Sequence, residues 1–70
     1  MKYNSVYELI ENQINTNGNS YTNMFNSEMA LLVYGDEKYR NKVAKELKLL
    51  EHHGLINISG KKSEREISLP

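Results

Sequence analysis

The sequence predicts a single α+β domain, residues 1–70, in which three α-helices precede a two-stranded β-hairpin. Apolar residues recur every three or four positions through three stretches, which is the spacing that places them on one side of a helix. Near the end of the chain the spacing changes to alternation on both sides of a short Gly-Lys-Lys-Ser turn. Alternation around a short turn is typical of a hairpin.

The first helix is predicted from Ser5 to about Asn15. Ser5 and Glu8 have the spacing of a capping box, in which each side chain satisfies a free backbone N–H at the helix start. Four residues share one face of this helix: Tyr3, Tyr7, Ile10 and Ile14. The tyrosines can pack on the core with their hydroxyls at its rim. Alternatively, because this face is broader than one small core needs, part of it meets a second copy.

A turn and an extended segment separate the first helix from the second. Residues 16–20 are rich in Asn, Gly and Ser, which predicts a turn. Residues 21–25 predict a short strand or an extended lead-in. The second helix is predicted to follow an N-cap at Asn26 or Ser27 and to stop at Gly35.

The second helix is apolar on every side over residues 29–34. Such a helix is buried from more than one direction, which is hard for a monomer of this size to achieve. Leu31 lies opposite Ala30 and Val33 on the helical wheel, so it is the best candidate for an exposed contact. The expected dimer or partner interface consists of Tyr3, Tyr7, Leu31, Leu32 and Tyr34.

Charge is distributed unevenly although the formal net charge is +0. Residues 1–37 hold one lysine and five acidic residues, whereas residues 38–62 hold seven basic residues and two acidic ones. The basic zone covers one predicted helix and the hairpin tip, a footprint expected for nucleic acid. From charge alone, a solvated helix face with ordinary charge variation explains the zone equally well.

The third helix is predicted over residues 37–53, with Asp36 as its N-cap. Its inner stripe consists of Tyr39, Val43, Leu47 and Leu50, and its acidic residues Glu46 and Glu51 fall toward the core side. The opposite face collects Lys38, Asn41, Lys45, Lys48 and His52, with Lys42 and Leu49 on one flank. A solvated face would mix charge signs, because acid–lysine pairs four residues apart are stabilising. The separation of charges therefore favours a binding face.

The hairpin is predicted to begin after Gly54, which ends the third helix. Its strands are predicted at residues 55–59 and 64–69, joined by a turn at residues 60–63. Alternation places four apolar side chains on one buried face: Ile56, Ile58, Ile67 and Leu69.

The sequence carries no catalytic signature, so we expect neither an enzyme nor a cofactor or metal site. It contains no cysteine, nucleophile motif or glycine-rich phosphate loop. His52 and His53 are adjacent, and adjacent helical side chains point about 100° apart, which does not suit chelation of one metal. No apolar run is long enough for a signal peptide or a membrane span, which predicts a protein of the cytoplasm or of a host cell's cytoplasm.

Residues 47–56, with the sequence LKLLEHHGLI, lie where a helix leads into the predicted hairpin. With the order helix, extended segment, helix, tight turn, helix and hairpin, they resemble winged helix-turn-helix domains of small bacterial, archaeal and phage regulators, with the subfamily open. The resemblance implies a homodimer that inserts the helix over residues 37–53 in the major groove of double-stranded DNA. It nominates for DNA contact Lys38, Arg40, Asn41, Lys42, Lys45, Lys48, Lys61 and Lys62.

The resemblance implies two kinds of DNA contact. It assigns base contacts to Lys38, Asn41, Lys42 and Lys45, and phosphate contacts to Arg40, Lys48, Lys61 and Lys62.

The sequence departs from the winged-helix pattern in two ways. The hairpin tip is shorter than many wings. The sequence also ends at Pro70 without the C-terminal helix by which several such families dimerise, so we expect the first two helices to form the dimer.

A second function fits the same residues. A winged-helix protein-binding module encoded by a phage or mobile element would place the same lysines on an acidic protein surface. It would inhibit a host nucleic-acid enzyme or a defence complex. The zero net charge, the acidic first half and the apolar residues 29–34 favour this alternative.

Overall fold

The computed structural model describes residues 3–61 and 64–70, and it has the α+β composition that the sequence predicts. The described chain contains the helices α1 Val6–Asn17, α2 Asn26–Tyr34 and α3 Arg40–His52, the last preceded by a 3-10 turn at Glu37–Tyr39. Its strands are β1 Tyr21–Thr22, β2 Asn57–Ser59 and β3 Glu66–Ser68. The predicted turn residues Lys62 and Ser63 lie outside the described residues.

The strands form one antiparallel sheet in the order β1-β3-β2. Ile67 of the central strand pairs with Thr22 on one side and with Ile58 on the other. Paired side chains lie on the same face of a sheet, so this row faces the core. The sequence predicts either a short strand or an extended lead-in at residues 21–25. The structure shows a strand, β1, over the first two of these residues.

One hydrophobic core joins the sheet to all three helices. Its buried members are Val6, Leu9, Ile10, Met29, Ala30, Val33, Val43, Leu47, Ile56 and Ile67. Ile58 and Leu69, which alternation places on the same face, are partly buried against this cluster. The hairpin therefore closes the core, as its apolar alternation predicts.

Two caps define α1. The Oγ atom of Ser5 accepts a hydrogen bond from the backbone N–H of Glu8 at 3.1 Å, and Gly18 ends the helix at φ 78°. Tyr7 and Ile14 are half-buried at the edge of the core. The predicted face is therefore divided: Ile10 is buried with Val6 and Leu9, whereas Tyr7 and Ile14 lie on its flank.

α2 begins one or two residues earlier than predicted. Phe25 occupies the N-cap position, and its backbone N–H donates to Oε1 of Glu28 at 3.1 Å. Asn26 and Ser27, the predicted N-caps, both lie inside the helix. That prediction is wrong because the Glu28 carboxylate satisfies the helix start, while the side chain of Asn26 accepts a hydrogen bond from Arg65 instead.

The apolar stretch of α2 is covered largely by the chain itself. α2 packs against the 3-10 turn, α3 and α1, and its buried side consists of Met29, Ala30 and Val33. Leu32 and Tyr34 are half-buried. Three neighbouring elements thus bury one side of this stretch within a single copy, and the predicted interface with a partner stays a prediction. Leu31 is 52% exposed, as its position on the helical wheel predicts.

The third helix starts with a 3-10 turn. Oδ1 of Asp36 accepts a hydrogen bond from the backbone N–H of Lys38 at 2.9 Å, which confirms Asp36 as the N-cap. Tyr39 is 39% exposed rather than on the inner stripe, because a 3-10 turn rotates side chains out of α-helical register. From Arg40 onward the helix is α-helical, and its inner side carries the buried Val43 and Leu47.

α3 ends in a Schellman motif. Gly54 has φ 74°, and its N–H donates to the carbonyl of Glu51, while the N–H of Leu55 donates to the carbonyl of Leu50. Leu55 is 44% exposed and lies before the strand rather than in it, since β2 begins at Asn57. The motif thereby places Leu55 next to the last turn of α3.

Ile67→Ala is expected to lower the free energy of unfolding by about 2–5 kcal/mol, because its side chain is fully buried between sheet and helices. Leu31→Ala should change it by no more than about 0.5 kcal/mol, since that leucine is half exposed. Urea denaturation followed by circular dichroism measures both. Equal losses in the two variants would contradict this description of the core.

Candidate nucleic-acid interface

The outer face of α3 and its preceding turn is exposed along its length. Its predicted members all lie at the surface: Lys38, Asn41, Lys45, Lys48 and His52. Arg40 and Lys42 are exposed beside them. Burial of Val43 and Leu47 holds the opposite side in the core, so the helical period turns the polar side outward. We call this surface the lysine face.

Two lysines of this face lie near aromatic rings. The Nζ atom of Lys42 is 4.6 Å from the centroid of the Tyr34 ring, and Nζ of Lys38 is 5.3 Å from that of Tyr39. Such cation–π contacts hold an ammonium group near the ring without cancelling its charge. Within residues 3–61 and 64–70, none of the lysines on this face has a carboxylate partner. Their positive charge is therefore available to an anionic ligand.

A polar contact between Tyr34 and Glu46 borders the lysine face. The hydroxyl of Tyr34 donates a hydrogen bond to Oε1 of Glu46. Burial, and then the hydrogen bond and charge of Glu46, raise the pKa of Tyr34 to about 12. Glu46 is half-buried on the core side, as predicted, and its carboxylate is engaged by a neutral donor rather than by a lysine.

The hairpin carries a second basic element. Lys61 is exposed, and Lys62 lies outside the described residues. Gly60 has φ 82°, and a Cβ atom at this position would clash with the backbone oxygen of Glu64. The turn that presents Lys61 therefore requires a glycine.

Arg65 connects the hairpin to the start of α2. Its guanidinium donates to Oδ1 of Asn26 at 2.9 Å and to the backbone carbonyl of Met24. Burial lowers the pKa of Arg65 below its ordinary value. No sequence signal indicates this contact, because the partners lie 39 and 41 residues away along the chain.

A cleft between the hairpin and α3 adjoins the arginine contact. Its walls include Lys48, Glu51, Ile58 and Arg65. Glu51, predicted toward the core side, is exposed on this wall. The Nε atom of Arg65 is buried and has no hydrogen-bond partner in the described part of the chain. The two terminal nitrogens of Arg65 therefore tie the hairpin to the start of α2.

An apolar groove opens between the start of α1 and the end of α3. Its volume is about 240 Å³, and it is lined by Ser5, Val6, Tyr7, Glu46, Leu49, Leu50 and His53. Leu49 is 60% exposed. Sequence reasoning placed Leu49 on a flank of the lysine face and assigned it no role. The signal that could have found the groove is an apolar residue on the polar side of an amphipathic helix.

The five residues predicted for a dimer or partner interface have different surroundings. The hydroxyl of Tyr3 donates to Oδ1 of Asn12 at 3.0 Å, whereas Tyr7 lines the groove. Tyr34 is turned toward the glutamate of α3, and Leu31 is exposed on α2. Of these five residues, the groove brings only Tyr7 together with exposed apolar side chains of α3.

No group of three or more His, Cys, Asp or Glu side chains among the described residues is placed to hold a metal ion. The rings of His52 and His53 lie 5.5 Å apart at an interplanar angle of 69°. In residues 3–61 and 64–70, no helix has the length and apolar character needed to cross a bilayer.

The chain is a small α+β domain that presents a lysine face, an exposed lysine at the hairpin turn and an apolar groove. Comparisons with protein-family models, with curated proteins and with solved structures found no match. Its function is therefore inferred from the geometry of these surfaces.

The free energy of unfolding should fall as pH rises from about 10 to about 12, because the folded chain keeps the Tyr34 proton that the unfolded chain loses. Below pH 10 the contribution is complete. Tyr34→Phe should remove this dependence, and Glu46→Gln should move the pKa of Tyr34 back toward 10. Tyrosinate absorbance and urea midpoints across this range measure both effects. An unchanged pH dependence in Tyr34→Phe would contradict the assignment.

Proposed function

We propose that the chain is a sequence-specific DNA-binding protein of the winged helix-turn-helix class, a small transcriptional regulator that acts as a homodimer in the cytoplasm. The observation that carries this proposal is the exposed lysine face, which lacks carboxylate partners among the described residues. Lysines that neutralise phosphates release condensed counterions from DNA, which favours binding. For a phage-encoded protein the compartment is the host cytoplasm.

The order and connection of the elements support this class. A short turn joins α2 to α3, and α3 leads into the β2–β3 hairpin, whose inner strand also pairs with β1. In winged-helix domains the third helix enters the major groove and the hairpin lies beside it. The groove is about 12 Å wide and admits a helix of about 10–12 Å diameter.

The start of the third helix supplies the proposed base contacts. Asn41 is exposed and has the donor and acceptor needed for a bidentate contact to adenine. Lys38 and Lys45 lie three and four residues from Asn41 and Lys42 directly follows it, and a lysine can reach O6 and N7 of guanine. Contacts to phosphates, which position the domain without reading sequence, are assigned to Arg40, Lys48, Lys61 and Lys62.

A second function is favoured by the zero net charge and by the apolar groove on the same helix as the lysines. A winged-helix module of a phage or mobile element would bind an acidic protein surface through this helix. It would inhibit a host nucleic-acid enzyme or a defence complex. Such a module needs no affinity for duplex DNA, so DNA binding distinguishes the two functions.

Lys45→Gln/Lys48→Gln is expected to weaken binding to random duplex DNA about tenfold or more at low salt, because two phosphate-neutralising charges are removed. The slope of log affinity against log salt concentration should become shallower by about 1–2. Fluorescence anisotropy of a labelled duplex over a series of salt concentrations measures both quantities.

The matched control is Asn15→Glu/Asn19→Glu, which lowers the net charge equally at exposed positions on α1 and its following turn. This control should keep most of the wild-type affinity. Equal losses in the two double variants would show a general charge effect instead of a binding face. Absence of wild-type binding even at about 20 mM salt would exclude the DNA-binding function.

Asn41→Ala should reduce discrimination at one base pair by about 1–3 kcal/mol while leaving affinity for random DNA nearly unchanged. Sites selected by the wild type from a random-sequence pool supply the specific duplex. Affinities of both proteins are then compared on the selected duplex and on its single-base variants. Equal losses on selected and random DNA would refute a base contact at Asn41.

A further inference from the structure

The cleft between the hairpin and α3 is lined by both apolar and charged side chains. Its volume is about 320 Å³, which lies within the range of about 300–1,000 Å³ found for small-ligand pockets. Its apolar lining consists of the buried Leu47 and the half-buried Ala44 and Ile58. The cleft is therefore suited to a group that has an apolar part beside a charged one.

Two cations and one carboxylate line this cleft. Lys48 and Glu51 are exposed on α3, and Arg65 is half-buried on the hairpin. Glu64 and Glu66 flank the arginine in sequence, but both are exposed and neither lines the cleft. In the part of the chain that the structure describes, neither Lys48 nor Arg65 is paired with a carboxylate. The cleft is therefore positive in spite of Glu51.

The guanidinium of Arg65 retains N–H groups for a ligand. Of its five N–H groups, one donates to Asn26 and one to the carbonyl of Met24. A partly buried cation that lacks an anionic partner is unfavourable, because it has lost water without gaining a counter-charge. An anion in the cleft supplies that counter-charge.

We propose that the cleft holds one segment of the DNA backbone, with a phosphate between Lys48 and Arg65 and the adjoining deoxyribose against Ala44 and Ile58. The inference rests on the proposed function and adds Arg65 to the residues that contact DNA. Lys48 belongs to the lysine face, so a strand that follows this face reaches the cleft beside it. Contacts to phosphate and sugar fix the orientation of a protein on the duplex without reading its sequence.

Glu51 opposes the phosphate in this arrangement. Of the described residues that line the cleft, it alone carries a negative charge. A carboxylate near a bound phosphate repels it, so Glu51 limits the affinity for DNA. Removal of this charge should therefore strengthen binding, a result that a partly unfolded variant cannot mimic.

Glu51→Gln should strengthen binding to random duplex DNA roughly two- to fivefold at about 0.1 M salt, measured by fluorescence anisotropy. The matched control is Glu11→Gln, at an exposed position on α1, a helix that contributes no residue to the cleft. Its effect should be much smaller, because the Debye length is about 10 Å at this salt concentration and the chain measures 27 × 23 × 23 Å. Equal gains in the two variants overturn the proposal.

Ala44→Leu tests the space in the cleft instead of its charge. The larger side chain occupies the cleft, and alanine and leucine are both good helix formers. Duplex affinity should fall severalfold while the urea midpoint of unfolding does not fall. Asn15→Leu adds the same side chain on the exposed side of α1 and should bind DNA as the wild type does. An unchanged affinity in folded Ala44→Leu overturns the proposal.

The side chain of Arg65 reports on the cleft directly. The chain contains two arginines, so Arg40→Lys leaves a single arginine Nε–H resonance. Titration of this isotope-labelled variant with a short duplex should shift the resonance. Inorganic phosphate and polyglutamate, at the same ionic strength, should shift it less, because neither supplies a deoxyribose. A resonance that moves with either of them but not with the duplex assigns the cleft to another anion and overturns the proposal.

Failure of this inference is distinguishable from failure of the proposed function. A wild type that binds duplex DNA while the Arg65 resonance stays in place overturns the cleft contact alone and leaves the lysine face as the binding surface. A wild type without affinity for duplex DNA even at about 20 mM salt removes the proposed function, and the cleft contact with it.

Discussion

The anchoring of α3 in the core by Val43 and Leu47 determines what the rest of the molecule presents. Both side chains are buried, and the helical period that turns them inward turns the lysines outward. A chain of 70 residues buries only about 60% of its unfolded surface, so no second core is available to hold this helix. The sheet completes the same core through Ile56 and Ile67.

α3 therefore contributes to three surfaces. Its inner side holds the core, its outer side carries the lysine face, and its last turns border the apolar groove at Leu49. Arg65 ties the hairpin to the start of α2, because its guanidinium donates to Asn26 and to the carbonyl of Met24.

Most features that depend on near neighbours in sequence could be predicted, with the start of α2 as an exception. Features that depend on distant neighbours could not. The caps at Ser5 and Asp36 bind N–H groups two or three residues away, so spacing alone indicates them. Apolar alternation likewise indicates the hairpin. The contact of Arg65 joins residues about 40 positions apart, and no local pattern encodes it. Leu49 lines a groove only because α1 packs beside the end of α3. A helical wheel of α3 carries no information about that packing.

The most direct test of the account is the change in backbone amide chemical shifts of isotope-labelled protein during titration with a short DNA duplex at low salt. If the lysine face binds DNA, the largest changes should occur at Asn41, Lys45 and Lys48, with a further change at Lys61 in the hairpin. The exposed side of α1, represented by Glu11 and Asn15, should change least. Changes centred on α1, or none at all, would contradict the assignment of α3 as a DNA-binding helix.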